Sequence, residues 1–504
     1  MKTYRPTLIA LCVASLGAAY AAPASDLDQA KVREFLEQFH RSPAAVMDQQ
    51  PAKTNQAAVA LFSAEAIKSK QYIEQKNALR NWMLGNGQGR VGARSAIQTG
   101  NDNPARLVDN GNQLISNIHT MDEQKLTSAK LSEQPWSDTY WPLYNGSLGN
   151  RYADSRQWNY PTANWKDYWT FANQTLPVKN YIDANQINLL SPSEKYDLLV
   201  GDDSYGLTLQ MWNSGKGYFD RNGSVEAWMG LCHGWAPAAY VLPRPKKSIE
   251  VTGVNGHKIT FYPSDIKALG TLLWANASPS VRFVGGRCNV KDPAKDTNGR
   301  ITDQNCFDNN PGSWHQTVIN QIGVSKRSFV FDATYDYEVW NQPVLGYSYV
   351  YFNPETGQTF NTAKEALIAK AAYTKDKFSK YRNAATQNIV GVRMQLSYLL
   401  ETSPSHATED SPNRDYVTQT TYTYDLELDA SGKIIGGEWY GNRHPDFVWT
   451  PAPNARALSY YNPSLTWTAG QALPAGYKQA AQSSSRYSQP VTNVVEQLFR
   501  WSSQ

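Results

Sequence analysis

The sequence predicts an α+β fold, because helical and strand patterns occupy different parts of the chain. Helical periodicity dominates up to about residue 130, whereas strand patterns dominate from about residue 249 onward. Between them, residues 232–240 begin with a cysteine and continue with small or apolar residues, which predicts a buried helix. A chain of 504 residues is longer than one hydrophobic core usually serves, so we expect a helical N-terminal region beside a larger domain.

The first 21 residues have the pattern of a secretory signal peptide. Lys2 and Arg5 precede an apolar stretch at residues 8–19, and residues 19–21 supply the small residues of a cleavage site. This stretch is too short to span a bilayer, and no other apolar run is long enough. We therefore do not expect a membrane protein. We therefore expect a secreted protein, released outside the cell or into the periplasm.

Residues 22–130 are expected to form a helical region that precedes the main domain. Apolar residues recur with helical spacing near its start and over residues 57–84, and another helix is predicted at residues 121–131. A Gly-rich loop at residues 85–100 lacks the preceding strand of a phosphate-binding loop, so no nucleotide site is predicted there. Our hypothesis is that this region is a pro-segment that covers the active site until it is cleaved.

The main domain is assigned to residues 131–478, and residues 479–504 to a polar tail with a short helix. An aromatic-rich segment at residues 135–169 is interpreted as an irregular coat on the core, or alternatively as the wall of a substrate groove. Ser191 and Glu194 form a capping-box pattern, which predicts the start of a helix.

The elements that follow Cys232 alternate between strands and single helices. An Asn-Gly pair between two β-rich runs predicts a hairpin, and Ser264 is suited to cap a helix. The predicted strands are residues 249–251, 258–261, 281–284, 316–320, 328–332, 390–402, 416–428 and 433–440, and the predicted helices are residues 265–274 and 363–381.

The number of cysteines is informative in an exported protein. One of the four lies in the signal peptide, which leaves Cys232, Cys288 and Cys306. An odd number in an oxidising compartment implies a free thiol or an intermolecular bridge. We expect Cys288 and Cys306 to form a disulfide, which would stabilise the fold by roughly 3 kcal/mol and leave Cys232 unpaired.

Cys232 is the candidate nucleophile, and the alternative is an inert structural cysteine. At the N-terminus of a helix, the dipole and the free backbone N–H groups favour the thiolate. We expect His315 at the head of one strand and Asp332 at the end of its partner, where a hairpin brings the side chains together. In this triad Asp332 orients His315, and His315 takes the proton of the thiol.

Other residues compete for these roles. His233 is adjacent to the cysteine on the helix and points elsewhere, and His257 lies in a hairpin turn. His444 is the stronger rival for the base, whereas Asp336 competes for the orienting role from beyond the strand end. The spacing alone therefore leaves more than one assignment open.

The distribution of charged residues and of possible metal ligands indicates which partners and ions the protein can bind. The net charge of +4 is spread without a basic run, which argues against a nucleic-acid partner. Residues 296–301 partly match a calcium-binding loop, but the first and last ligands of an EF-hand are absent, so the pattern supports at most a weak surface calcium site. The expected chemistry requires no cofactor and no metal.

Four segments resemble the secreted elicitor-type transglutaminases. Residues 339–344, Val-Trp-Asn-Gln-Pro-Val, match the signature of that family. Residues 135–142, 230–239 and 437–447 are also similar to it, so the resemblance covers about residues 130–450. Leu345 departs from the family pattern, which has a basic residue there. The signature residues are Trp340, Asn341, Gln342 and Pro343.

The resemblance implies a papain-like core, with the cysteine on a helix packed on an antiparallel sheet that carries the histidine and the aspartate. It also implies that Cys232 attacks the side-chain amide of a glutamine-bearing protein and passes the γ-glutamyl group to a lysine or another primary amine. Trp228 and Trp212 are then the candidates for an indole that stabilises the oxyanion. The alternatives are a cysteine protease or amidase, which uses water, and a wall-binding protein without catalysis.

Overall fold

A computed structural model shows how these segments fold. It describes residues 26–504 apart from residues 55–101, 160–163, 278, 287–289, 291, 304–305, 307–308 and 335–338. The predicted signal peptide, the helix predicted at residues 57–84 and the Gly-rich loop lie outside the described residues. The same holds for Cys288 and Asp336.

The described helices fall at the two ends of the chain and around its centre. They are α1 (Asp26–Arg41), α2 (Pro43–Met47), α3 (Ile118–Glu123), α4 (Trp165–Thr170), α5 (Val178–Asp183), α6 (Pro192–Val200), α7 (Gly206–Asn222), α8 (Cys232–Val241), α9 (Pro263–Asn276), α10 (Pro311–Val318), α11 (Ala363–Ala366), α12 (Gly476–Ser485) and α13 (Thr492–Ser503). Two π-helical turns, Phe171–Thr175 and Ile319–Val324, extend α4 and α10.

Antiparallel strands make up the rest of the core. They are β1 (Lys53–Thr54), β2 (Ser128–Lys130), β3 (Ile249–Thr252), β4 (Lys258–Phe261), β5 (Val281–Gly285), β6 (Val330–Asp332), β7 (Asn341–Phe352), β8 (Thr359–Phe360), β9 (Ile368–Ala369), β10 (Asn388–Leu400), β11 (Tyr416–Leu428), β12 (Ile434–Trp439) and β13 (Phe447–Pro451). The main sheet runs β1-β11-β10-β7-β6-β13-β5, with β12 beside β11, β2 and β8 beside β7, and β9 beside β10. β3 and β4 form a separate hairpin.

The helix that begins with Cys232 packs between the sheet and another helix. α8 contacts β7 on one side and α9 on the other. A Cβ atom at Gly234 would lie 2.2 Å from the carbonyl oxygen of Thr271 in α9, so the two helices approach too closely for any side chain there. The helix predicted at residues 232–240 is confirmed, and its packing places the sulfur at the start of β7.

The N-terminal region is joined to the sheet of the main domain. β1 pairs with β11 and β2 pairs with β7, so strands that precede residue 131 extend the sheet. Apolar residues of α1 and α2 pack against Phe352, Phe378 and Tyr440. The helix predicted near the start of this region is confirmed, whereas the helix predicted at residues 121–131 is replaced by the end of α3 and by β2.

Most predicted elements of the main domain are confirmed. The predicted hairpin forms β3 and β4. The helix predicted at residues 265–274 is α9, and the strand predicted at residues 281–284 is β5. The strands predicted at residues 390–402, 416–428 and 433–440 are β10, β11 and β12. Ser191 caps α6 through the predicted capping box with Glu194, and Gly201, with a φ angle of 70°, ends that helix. The cap predicted for α9 is wrong, because that helix begins at Pro263 after Tyr262 and Ser264 lies within its first turn.

Two predictions in the main domain are wrong. Residues 316–320 lie in α10 and its π turn rather than in a strand, because Asn310 caps the helix and Pro311 occupies its first turn. The helix predicted at residues 363–381 ends at Ala366, because the chain then pairs with β10 as β9. The signature segment, to which no strand was assigned, forms the start of β7.

The C-terminal residues belong to the core rather than to a polar tail. The predicted end of the main domain at residue 478 falls inside α12. In α13, Val494, Val495 and Leu498 are fully buried, and the ring of Phe499 lies against Gly270 of α9. Among the described residues, no helix combines the length and the apolar character needed to cross a membrane.

Gly234→Ala tests the close packing that positions the Cys232 helix. We expect the free energy of unfolding to fall by about 1–3 kcal/mol, because the added methyl group meets the backbone of α9. Urea denaturation provides the measurement. Gly217→Ala is the matched control, since a Cβ at Gly217 in α7 meets nothing within 4 Å, and alanine should stabilise that helix. Equal stability of the Gly234 variant and the wild type would contradict the packing.

Candidate active site

Cys232 is the first residue of α8 and is buried against the start of β7. It is 4% exposed and is the free cysteine of the described residues. The thiol donates to the carbonyl oxygen of Val339 at 3.6 Å, and Nδ2 of Asn341 donates to the sulfur at 3.6 Å. Both contacts come from the signature segment, so that segment forms the immediate surroundings of the sulfur.

A tryptophan on a neighbouring strand fixes the orientation of Asn341. Oδ1 of Asn341 accepts a hydrogen bond of 2.8 Å from Nε1 of Trp449 in β13. A reversed amide would place its Nδ2 against the indole N–H, and two donors cannot form a hydrogen bond. Asn341 therefore presents an N–H donor to the sulfur of Cys232.

Asp332 lies opposite Asn341 in the sheet. The two residues are partners in the pairing of β6 with β7, so their side chains project from the same face. Oδ1 of Asp332 accepts hydrogen bonds from the backbone N–H of Trp340 at 3.1 Å and from the hydroxyl of Thr334 at 2.9 Å. The structure thus brings Asp332 close to Cys232, where its carboxylate holds the signature segment in place.

A second carboxyl group, Glu401, lies beside the site, and no sequence pattern pointed to it. It follows the end of β10, and Nε2 of Gln342 donates to its two oxygens at 2.8 and 2.9 Å. Burial raises the pKa of Glu401 to about 7, although the hydrogen bond from Gln342 acts in the opposite direction. A group with this pKa can both accept and return a proton at neutral pH.

Burial raises the pKa of Cys232 to about 11. The hydrogen bonds from Asn341 lower this pKa, and the negative charges of Glu401 and Asp332 raise it. The helix N-terminus was expected to favour the thiolate, but the loss of water around the sulfur has the larger effect. Cys232 is therefore a protonated thiol at neutral pH in this structure.

The structure does not bring His315 to Cys232. His315 is fully buried in α10, where Nδ1 lies 2.9 Å from the hydroxyl of Tyr424 and the ring packs against Tyr349. Asn341 and Tyr349 are eight residues apart on β7, which separates them by roughly 26 Å. The predicted contact of His315 with the thiol is wrong for this structure, because the segment after His315 continues as a helix and does not pair with β6.

The rival histidines give no better base in the described structure. The ring of His444 stacks on Trp439 with 4.6 Å between ring centres, in the part of the sheet near His315. His257 lies in the turn of the β3–β4 hairpin. His233 is the second residue of α8, and burial lowers its pKa to about 4.

The two tryptophans proposed for the oxyanion lie in the aromatic packing, and Nε1 of Trp212 has no hydrogen-bond partner among the described residues. Nε1 of Trp228 donates to Glu226 at 2.9 Å. The ring of Trp212 packs edge-on against Trp165 and lies against the backbone of Gly149. Asn341, rather than either indole, is the side-chain donor that the structure places at the sulfur.

Aromatic side chains lie beside Cys232. Trp340 stands between the two residues that contact the sulfur, and its ring packs edge-on against Tyr140 at 5.1 Å. The carbonyl oxygen of Tyr140 accepts a hydrogen bond from the backbone N–H of Leu231, the residue before Cys232. This aromatic cluster consists of Tyr140, Leu143, Trp165, Trp212, Trp228, Met229 and Trp340 with their apolar neighbours. The aromatic-rich segment thus reaches the site, as a groove wall would.

Cys306 and the calcium-like loop lie apart from the site. Cys306 is buried and disulfide-bonded, and because Cys288 is not among the described residues, their pairing stays a prediction.

In the calcium-like loop, the carboxylate of Asp296 accepts hydrogen bonds from the backbone of Arg300 and from the hydroxyl of Tyr381. The described part of the chain contains no cluster of three metal-ligating side chains. The weak calcium site stays a prediction.

The pKa of Cys232 leads to a test of the buried thiol. We expect the thiolate absorbance of the folded protein to rise with a midpoint near pH 11, because burial disfavours the charged sulfur. After unfolding in urea, the midpoint should fall to about 8.5, the value of an exposed thiol. Cys232→Ala provides the baseline for both titrations. A midpoint below the usual thiol value in the folded protein would contradict the burial described here.

Comparison with known proteins identifies the family. The solved structure of the GP42 transglutaminase from Phytophthora sojae aligns with 23% sequence identity and a TM-score of 0.43, over 71% of this chain and 92% of that chain. No curated protein matches the chain. The family model described as transglutaminase elicitor matches residues 110–468, well over half of the sequence. The chain therefore belongs to the transglutaminase elicitor family.

Proposed function

We propose that this chain is a secreted protein-glutamine γ-glutamyltransferase with Cys232 as the acyl carrier. The position of Cys232 carries the proposal: it starts a buried helix, and its sulfur contacts Val339 and Asn341 of the family signature. The acyl donor is a glutamine side chain of a protein, and the acceptor is a lysine or another primary amine. Glu401 takes the acid–base role that was first given to His315.

In the first half-reaction, Sγ of Cys232 attacks the carboxamide carbon of the glutamine. Because a thiol with a pKa of about 11 is not ionised beforehand, its proton passes to Glu401 during the attack. Nδ2 of Asn341 and the backbone N–H of Cys232, which has no acceptor within its helix, stabilise the oxyanion. The C–N bond then breaks, Glu401 returns the proton to the nitrogen, and ammonia leaves a γ-glutamyl thioester.

In the second half-reaction, the primary amine attacks the thioester carbon. Glu401 takes a proton from the amine, the C–S bond breaks, and the proton returns to the sulfur as the isopeptide bond forms. Asp332 acts as a positioning residue, because it holds the backbone N–H of Trp340 and with it the donor Asn341. The aromatic cluster keeps water away from the thioester, which favours transfer over hydrolysis.

Substrate entry requires a movement of the aromatic cluster, because Cys232 is 4% exposed. Helices α1 and α2 of the N-terminal region pack against Phe352 and Tyr440, so they are not what covers the sulfur. We propose that Trp340 and Tyr140 separate to admit the glutamine side chain. If the N-terminal region is a pro-segment, cleavage of that region raises the activity of the protein.

Incorporation of a fluorescent primary amine into a glutamine-bearing protein tests the proposed roles. The wild type should label the protein, and Cys232→Ala should not. Glu401→Gln should lower kcat by about 10²–10⁴-fold, because it removes the acid–base group. His315→Gln should retain activity within about tenfold, since His315 packs against Tyr349, which lies roughly 26 Å along β7 from Asn341. Thermal unfolding of each variant shows that it is folded.

Several outcomes would contradict the proposal. Labelling by Cys232→Ala, or loss of activity in His315→Gln together with full activity in Glu401→Gln, would overturn the assignment of roles. Release of ammonia without labelling would identify the amidase or protease alternative, and absence of both would favour a wall-binding protein.

Parallel reactions with calcium and with a chelator should give equal rates, because no step of the proposed mechanism requires a metal.

A further inference from the structure

A cavity of about 320 Å³ lies away from Cys232, where α10 meets the end of β12. Asn309 and Asn310 at the start of α10 line it, together with Trp439 of β12 and Met47 of α2. None of the residues that contact Cys232 contributes to its wall. Its volume is in the range of sites that hold small organic molecules.

The wall of this cavity contains polar atoms that have no hydrogen bond. Asn309 is 1% exposed, yet neither Oδ1 nor Nδ2 of its side chain has a partner among the described residues. The same holds for Oδ1 of Asp102 and Nδ1 of His444, which line the same cavity. Buried polar groups in folded proteins nearly always have partners, so four such atoms around one cavity indicate a site that is built for a polar ligand.

Asp102 supplies a carboxylate that pairs with no cation among the described residues. Its Oδ2 accepts a hydrogen bond of 2.8 Å from the backbone N–H of Asn310, and burial raises its pKa to about 7. Arg300 is the positively charged side chain in the cavity wall. Its Nε and Nη2 donate to the two carboxylate oxygens of Glu438 at 2.7 and 2.8 Å, so its charge is already paired. A cationic ligand would therefore gain a carboxylate that no described side chain neutralises.

Aromatic and apolar groups complete the wall. The ring of His444 stacks on Trp439, and Nε1 of Trp439 donates to the backbone oxygen of Asn309 at 2.8 Å, which ties the wall together. Met47 and Ile301 add an apolar surface. Aromatic rings attract cations, and apolar side chains accommodate a short hydrocarbon linker.

We propose that this cavity binds a small amino alcohol, with its ammonium group on Asp102 and its hydroxyl oxygen on Nδ2 of Asn309. An ammonium group has three N–H donors, which match the unfilled acceptors Oδ1 of Asp102, Oδ1 of Asn309 and Nδ1 of His444. The hydroxyl oxygen gives the remaining donor, Nδ2 of Asn309, an acceptor. An anionic ligand would instead face the charge of Asp102.

Isothermal titration with ethanolamine tests the site in full-length mature protein that carries Cys232→Ala, so that no thioester can consume the amine. We expect one equivalent to bind. Ethylene glycol, which has the same size without the charge, should bind more than about tenfold more weakly, because it leaves the carboxylate unpaired. Asp102→Asn should weaken ethanolamine binding to a similar degree, and Asp183→Asn, on the exposed helix α5, should leave it unchanged.

Asp102→Asn is expected to fold, because it preserves the shape of the side chain and removes an uncompensated buried charge. Its thermal unfolding temperature without ligand should therefore be no lower than that of the parent. Failure of ethanolamine to saturate the site, equal binding by Asp102→Asn, or equal binding of ethylene glycol would each overturn the proposal. The first result would leave the cavity to water, and the other two would show that the carboxylate of Asp102 does not recognise a cation there.

Discussion

The hydrogen bond from Asn341 to the sulfur of Cys232 is the contact on which the site depends. It joins the first residue of β7 to the first residue of α8, and both elements are held firmly from behind. Trp449 fixes the amide, Asp332 holds the neighbouring backbone, and the glycine at position 234 lets α8 lie directly on α9. Cys232 is thus placed by the packing of a helix and a strand, without any histidine at the sulfur.

Burial and reactivity oppose each other at this site. A sulfur shielded from water has a raised pKa and reacts slowly as a thiol. The same shielding would protect a thioester from hydrolysis, which is what a transferase requires. In the proposed mechanism Glu401, whose pKa is raised to about 7, combines the two, because it takes the proton of the thiol during the attack on the substrate.

The parts of the fold that depend on neighbouring residues were predictable from the sequence. The Cys232 helix follows from its run of small and apolar residues, whereas the capped helix at Ser191 and the β3–β4 hairpin follow from local capping and turn chemistry. His315 was misplaced because Thr317, Val318 and Ile319 favour a strand, whereas the cap at Asn310 starts a helix. Glu401 could not be found at all, because only the pairing of distant strands brings it to the signature segment.

The most direct test of Cys232 as acyl carrier is the intact mass of the protein after incubation with a glutamine donor peptide and no amine. A covalent adduct equal to the peptide less one ammonia should appear on the tryptic fragment that contains Cys232, and hydroxylamine should remove it. The adduct should be absent from Cys232→Ala. Amine transfer by a protein that forms no such adduct, or forms it on another residue, would contradict the assignment of Cys232 as the acyl carrier.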